Sequence, residues 1–203
     1  MLKEIVEDYI EKGNTIITAK PGGGATVFSL YLCNILLKQD KTILYYNPTA
    51  EIDVYYVKKY FPRVYRDVFF IRSPLNSFLH LINEMDYDMD YLVIDPGDCL
   101  MVNPKIVSAI ADIVKRKDTK FICTSQIRVD PTLGGQVYST IEKLNKRHSG
   151  SIFENSMWIR DVTETNTIYT SRYIDVFDKY RVGNRYKSRY LAKFSKTSGT
   201  VME

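Results

Sequence analysis

Along the N-terminal part of the chain the spacing of apolar side chains changes period twice. Leu2, Ile5, Val6, Tyr9 and Ile10 recur at helical spacing up to Gly13-Asn14, which predicts a short leading helix over 1–14. The β-branched run over 15–18 reads as a strand that stops at Ala19-Lys20-Pro21-Gly22-Gly23-Gly24, and 26–37 is again apolar at helical spacing. The unit is strand, glycine loop, helix. It continues as strands over 42–46, 68–72, 91–94 and 120–124, alternating with helices over 53–60, 77–85 and 104–115. Strands that alternate with helices require right-handed crossovers, so the expected fold is α/β, with a mostly parallel sheet buried on both faces.

Beyond Gln126 a polar, basic stretch runs to about residue 156, and strands are expected over 157–160, 167–172 and 186–194. As a meander they extend one sheet edge antiparallel, and residues 197–203 are expected to fray.

Composition narrows the class. With 203 residues, 45% hydrophobic and 26% charged, the chain is one compact domain with a sizeable core; collagen, coiled coil and wholesale disorder are excluded. Its 28 Lys and Arg against 24 Asp and Glu leave +4, too mild to mark a nucleic-acid binder, so the distribution of charge must decide that. Cys33, Cys99 and Cys123 are far apart, odd in number and in apolar contexts; they read as small buried side chains rather than a disulfide framework or zinc site. No apolar run approaches the roughly 20 residues that span a bilayer, and the acidic, amphipathic N-terminus is unlike a signal peptide. The expectation is a reducing cytoplasm, that of a virus-infected cell included, and no membrane partner.

The loop from Ala19 to Thr26 fits the frame G-x-x-x-x-G-K-[ST] at its second glycine, Gly24, and at Thr26. Glycines let successive backbone N–H groups turn inward on an anion, and the following helix offers its positive end. Thr26 supplies a hydroxyl for Mg²⁺, and Asp95, closing the buried run Leu92-Val93-Ile94, supplies a carboxylate. The cofactors this implies are ATP and Mg²⁺, held by Lys20, Pro21, Gly22, Gly23, Gly24, Ala25, Thr26 and Asp95. Two departures stand out. Ala19 replaces the first glycine, a mild change, whereas Ala25 stands where a lysine reaches the β- and γ-phosphates, so hydrolysis should suffer. Natural degeneration and deliberate replacement of lysine both account for Ala25. The bland alternative is a glycine-rich turn with no ligand. Lys20 either restores charge from within the loop or is a solvated lysine.

In this order the motifs resemble the RecA/DnaB superfamily of oligomeric ATPases that act on DNA. Ala19 to Thr26 is similar to the phosphate loop, Tyr91 to Asp95 to the Walker B strand, and Phe121 to Gln126 to the strand ending in a polar sensor. Arg147 to Glu154, followed by Met157-Trp158-Ile159-Arg160, is similar to the segment after the DNA-binding loop. The string over 149–154 resembles DnaB-type replicative helicases; Ser125 to Arg128 and Gly134-Gly135 resemble RecA-type recombinases. The resemblance implies a single RecA-like domain, with a nucleotide-binding core over 15–126, a DNA-binding loop region over 127–156 and basic strands over 157–196. It further implies that Gln126 senses the γ-phosphate, and that Lys193 or Lys196 completes a neighbouring subunit's site in a ring or filament. The family's catalytic glutamate falls at Thr49 by alignment, and Glu51 serves only if the loop shifts by two residues; Glu51 is otherwise an exposed loop carboxylate.

Between Lys179 and Lys196 seven basic residues, Arg185, Lys187 and Arg189 among them, interleave with Tyr180, Tyr186, Tyr190 and Phe194 and with no acid. Cations neutralise phosphates while rings stack on unpaired bases, a combination suited to single-stranded DNA. A solvated edge strand explains the alternation equally well. A second cluster, Lys143, Lys146, Arg147 and His148 with Arg128, falls where the family contacts DNA. His80 reads as a packed or surface residue, Trp158 as core, and Glu84, Asp86, Asp88 and Asp90 as a solvated turn.

The leading expectation is therefore a helicase or recombinase ATPase core on single-stranded DNA, with hydrolysis impaired by Ala25. The alternative is a silent pseudo-ATPase that serves as an assembly or helicase-loader subunit for a motor partner. A nucleotide kinase-like transferase is weaker, because its phosphate loop needs the lysine still more.

Overall fold

Thr15–Ala19 forms β1, with all five residues buried, and the chain turns through the glycine loop into α1, Ala25–Lys38. The structure, a computed structural model, describes residues 9–49, 52–86, 88–98, 104–130, 136–139, 153, 155–163, 170–177, 187–194 and 201–202. The next elements are β2 (Ile43–Tyr46), α2 (Val54–Tyr60), α3 (Pro62–Asp67), β3 (Phe69–Ile71), α4 (Leu75–Glu84), β4 (Tyr91–Ile94) and α5 (Pro104–Arg116). Then come β5 (Lys120–Asp130), β6 (Gln136–Ser139), β7 (Asn155–Thr163), β8 (Thr170–Phe177), β9 (Lys187–Phe194) and β10 (Val201–Met202).

The sheet order is β10-β9-β8-β7-β1-β5-β4-β2-β3, and β6 pairs with β5. Strands β3, β2, β4, β5, β1 and β7 run parallel, and β8 to β10 continue antiparallel beyond β7. Helices cover the parallel part on both faces because successive strand residues point to opposite sides. Ile17, Tyr45, Val93 and Ile122 join the cluster with Phe28, Leu32 and Leu36 of α1 and Val57 and Val64 of α2 and α3. Their chain neighbours Ile16, Leu44, Leu92 and Phe121 join the other cluster, with Phe78 and Ile82 of α4 and Ile110 and Ile113 of α5. On that second face Tyr46 stacks on Phe78 with ring centres 3.7 Å apart.

Several bounds differ from the sequence reading, each for a local reason. Helix α3 was not expected: Pro62 starts it, but only Val64 of its six residues is buried, which leaves no periodic signal. Strand β5 runs past 124 to Asp130, and Ile127 to Asp130 pair antiparallel with β6, so part of the stretch taken as a loop after Gln126 is a β-ribbon. Strand β7 spans 155–163 and β8 spans 170–177 instead of 167–172. In the tail expected to fray, Val201 and Met202 pair with Phe194 and Lys193. Of the leading helix, residues 1–8 lie outside the described residues; Tyr9 and Ile10 are buried.

The acidic run before β4 also differs. Glu84, Asp86 and Asp88 are exposed, but Asp90 ties β4 to the start of β2. Its Oδ2 accepts from the Thr42 amide at 2.8 Å and the Thr42 hydroxyl at 2.8 Å, and its amide donates to that hydroxyl at 2.9 Å. Lys41 Nζ sits 3.3 Å from Oδ1. Partial burial pushes the Asp90 carboxyl up, but the Thr42 donors and the Lys41 ammonium outweigh it and hold the carboxyl below its usual value. A depressed carboxyl stabilises the fold above the unfolded-state pKa and loses that contribution as pH falls through the folded-state value. Asp90→Ala therefore lowers the thermal midpoint at pH 7 by about 2 °C, a modest shift because the group is partly exposed. The gap to the parent protein narrows below about pH 4, as read by thermal melts across pH.

Candidate functional site

The site is built at the edge of the parallel sheet where β1 and β4 end beside the segment Thr124 to Gln126 of β5. Beyond Ala19 the chain turns tightly: the Gly23 amide donates to the Lys20 carbonyl at 2.7 Å, and Gly22 and Gly24 have φ of 69° and 97°. Both angles lie in the left-handed region that glycine adopts without strain. A Cβ on Gly23 would stand 2.6 Å from the Lys20 carbonyl oxygen and 2.9 Å from the Ala19 Cβ, so this position admits no side chain without moving the loop. The first intrahelical bond of α1 runs from the Phe28 amide to the Gly24 carbonyl at 2.9 Å. The amides of Ala25, Thr26 and Val27 precede it, and Gly24 offers no side-chain cap to them, which makes this helix end an anion-ready terminus.

A cavity of about 280 Å³ opens over this terminus. Of the residues expected to bind a cofactor, Lys20, Gly22, Gly23, Gly24, Ala25, Thr26 and Asp95 line it, as does Gln126. Pro21 is exposed in the loop but does not line the cavity. Strand β5 lies between β1 and β4, with Ala19 opposite Gln126 and Ile94 opposite Cys123. That register sets Thr124 beside Asp95 and brings Ser125 and Gln126 toward the glycine loop. Lys20 is the one cationic side chain among the described residues lining the cavity.

Asp95 is 3% exposed, and such a carboxylate must find hydrogen-bond donors inside the protein. Tyr45 Oη donates to Oδ2 at 2.7 Å and the Thr124 hydroxyl donates to Oδ1. Asn47 Nδ2 donates to the Asp95 carbonyl at 2.5 Å. Tyr45 Oη also lies 2.6 Å from Ser29 Oγ of α1, and Ser29 Oγ donates to the Thr26 carbonyl at 2.8 Å. Burial first, and then the Asp95 charge, push the Tyr45 phenol well above its usual value, so it stays a neutral donor. The same two causes push the buried Cys33 thiol far up, so it is not a nucleophile at neutral pH.

Beyond Asp95, the turn returns to β5 through Asp98, whose Oδ1 accepts from Ser125 Oγ and whose Oδ2 accepts from the Gln126 amide, each at 3.1 Å. Tyr45, Asn47, Thr124 and Asp98 were not singled out in the sequence. Tyr45 had one visible signal: a phenol in a fully apolar strand must spend its hydroxyl on a partner.

The remaining expected residues are not gathered here. Glu51, Lys143, Lys146, Arg147, Arg185 and Lys196 lie outside the described residues. Arg128 is opposite Tyr138 on the β5–β6 ribbon. On β9, Lys187 is opposite Phe177 and Lys193 opposite Tyr173, which is itself opposite Arg160 of β7, while Arg189 lies between these pairs. Strand β9 is three strands from β1.

A glycine-loop strand separated by one strand from a strand ending in a buried aspartate, with helices on both faces and an antiparallel extension, is the RecA-like α/β fold. No family model and no curated protein matches the chain. Among solved structures it is similar to the KaiC-like protein PH0186 from the hyperthermophilic archaeon Pyrococcus horikoshii OT3, with 14% identity over 93% of this chain and 88% of that one and a TM-score of 0.65. A likeness at that identity carries the fold.

Thr124→Val keeps the shape of the side chain and removes the Thr124 donor to the buried carboxylate of Asp95. It should cost about 1–3 kcal/mol of unfolding free energy, read by chemical denaturation.

Proposed function

We propose that this protein is a nucleoside-triphosphate-binding RecA-like core that takes ATP with Mg²⁺ and couples it to single-stranded DNA, with hydrolysis impaired by Ala25. The observation that carries the reading is the uncapped α1 terminus under a glycine loop that a Cβ would fill, opposite a buried carboxylate in one cavity. A cradle of that shape fits a polyphosphate, and the Thr26 hydroxyl and Asp95 carboxylate are hard oxygen donors that fit Mg²⁺. When bound, Mg²⁺ neutralises charge on the phosphate oxygens.

The chain's own contributions divide between holding and reacting. In this reading the amides at the start of α1 hold the phosphates, and Gln126, whose backbone amide donates to Asp98, senses the terminal one. A methyl group at Ala25 adds no charge where the transferred phosphoryl develops it, so the cavity favours binding over turnover. For DNA, the support is the β-ribbon carrying Arg128 and the β7–β9 register that sets Arg160, Tyr173 and Lys193 in one row and Lys187 beside Phe177. Rings alternating with cations track a single strand's bases and phosphates. Self-association into a ring or filament brings Lys193 or Lys196 of one copy to the cavity of the next.

A second reading, a pseudo-ATPase acting as an assembly or helicase-loader subunit, is favoured by the combination of Ala25 with an Asp95 whose two carboxylate oxygens are both engaged by protein hydroxyls. The two readings part on turnover.

Titration with a fluorescent ATP analogue in Mg²⁺ should show saturable binding that Gly23→Ala weakens at least tenfold; no binding by the parent protein sinks the nucleotide reading. Ala25→Lys should raise hydrolysis stimulated by single-stranded DNA by about 100-fold or more. Loss of DNA affinity with rising salt gives the number of phosphate contacts. If Ala25→Lys binds nucleotide and DNA but still does not turn over, the loader reading replaces the motor reading.

A further inference from the structure

The exposed apolar side chains of this protein are not scattered. Of the six large ones among the described residues, Val54, Tyr55, Tyr60, Tyr65 and Phe69 fall in one segment, made of α2, α3 and the start of β3, and only Leu81 lies elsewhere. Apolar surface gathered in this way marks an interaction face. Within it opens a cavity of about 160 Å³, walled by Ile52, Val54, Val57, Tyr65 and Phe70, with Arg72 in its lining. Ile52 and Val57 are 5% and 2% exposed and belong to the core cluster, so the walls are held from beneath. Arg72 Nη2 donates to the Ile52 carbonyl at 2.9 Å. That bond fixes the guanidinium in the lining and leaves its other N–H groups to a ligand.

Charge in the same segment is unbalanced. Its acids over 52–72, Asp53 and Asp67, are both engaged within it: Asp53 Oδ1 accepts from the Tyr55 amide at 2.8 Å, and Asp67 pairs with Arg66 at 2.8 Å and with Arg63 at 3.7 Å. Among the described residues Lys58, Lys59 and Arg72 have no carboxylate within ion-pair reach. Lys58 Nζ stands 5.8 Å from the centre of the Tyr65 ring, and Lys59 Nζ 4.9 Å from that of Tyr60. These rings are therefore capped by cations and are not bare platforms for nucleic-acid bases. A cavity of this size takes one side chain, and the cations beside it take carboxylates. Strands β7 to β9, to which the DNA reading assigns the nucleic acid, stand toward the other end of the sheet from β3. We propose that α2, α3 and β3 form a docking surface for an acidic segment of a partner protein. One leucine- or phenylalanine-sized side chain of that segment fills the cavity, and carboxylates on either side of it meet Arg72 and Lys58. The cavity shares no lining residue with the one over α1, so the inference goes beyond the nucleotide reading and does not depend on it.

The probe is a fluorescein-labelled peptide of aspartate, glutamate and serine with a single central leucine, titrated with the full chain at physiological salt and read by fluorescence anisotropy. It should bind saturably, with a Kd below about 1 mM. Replacing its leucine by serine should weaken binding about tenfold, the share of one buried aliphatic side chain. Replacing its acids by lysine should abolish binding. Arg72→Glu and Lys58→Glu should each weaken the acidic peptide about tenfold, and Arg72→Glu should take the lysine peptide in its place. A merely structural Arg72 would not exchange one peptide for the other. Lys58 is exposed on α2, so Lys58→Glu keeps the test decisive where Arg72→Glu fails to fold. No saturation by the acidic peptide, or equal binding of the acidic and lysine peptides, overturns the proposal. Displacement of the bound peptide by a thymidine oligonucleotide would assign this face to nucleic acid. Self-association of the parent protein in sedimentation, abolished by both charge reversals, would assign it to a second copy. Either result also overturns the proposal.

Discussion

Everything at the functional edge of this sheet depends on keeping one carboxyl group out of water. Asp95 closes β4, a strand with all four residues buried, and its side chain has almost no solvent to turn to. A buried carboxylate without donors costs several kcal/mol, so the neighbouring strands must supply them. Strand β2 gives Tyr45, the residue just after it, Asn47, gives its side-chain amide, and β5 gives Thr124; β2 and β5 are the two strands that flank β4. The bonds that satisfy Asp95 therefore also fix the register of β2 and β5 against β4. A slip of one residue would send Tyr45 to the other helical layer and take its hydroxyl away from the carboxylate.

That fixed edge is what gives the glycine loop a partner. Because β5 lies between β1 and β4, its residues from Thr124 to Gln126 form the wall shared by Asp95 and the loop, and Asp98 ties the turn after β4 back onto this wall. The uncapped helix end, the carboxylate and the polar residues Thr124 to Gln126 of β5 thus meet as consequences of one strand order. On the other side, α1 is joined to the same network by Ser29, a polar residue with 1% exposure on a helix packed among Phe28, Leu32 and Leu36. Such a residue lowers packing quality unless its hydroxyl is used, and here it is used twice.

The alternation of strands with helices was legible from periodicity, because each strand buries both faces and each long helix keeps one apolar stripe. The cavity was legible from eight loop residues and one aspartate, since those motifs are local in sequence and Lys20 through Thr26, Asp95 and Gln126 meet in space with the exception of Pro21. Strand order was not legible: parallel pairing between β1 and both β5 and β7 joins residues far apart in the chain, and periodicity carries no information about which strand lies beside which. For the same reason Tyr45, Asn47 and Thr124 escaped notice. Tyr45 and Thr124 look like ordinary strand residues and Asn47 like an ordinary loop residue until the register places them against Asp95. Helix α3 and the β5–β6 ribbon escaped because a short element with few buried positions has nothing periodic to show.

Ala25 separates two properties that a lysine at that place combines. The shape of the cradle comes from Gly22, Gly23 and Gly24 and from the α1 terminus, none of which involves the side chain at 25. Its charge is another matter. The helix terminus contributes about half an elementary positive charge, Lys20 contributes one and Asp95 subtracts one, so the described lining comes close to neutral before any cation enters. In the nucleotide-binding reading proposed above, a triphosphate carries several negative charges, and the deficit falls on the divalent cation. On that reading, affinity in this cavity depends on the divalent ion more steeply than in a cavity with a lysine of its own.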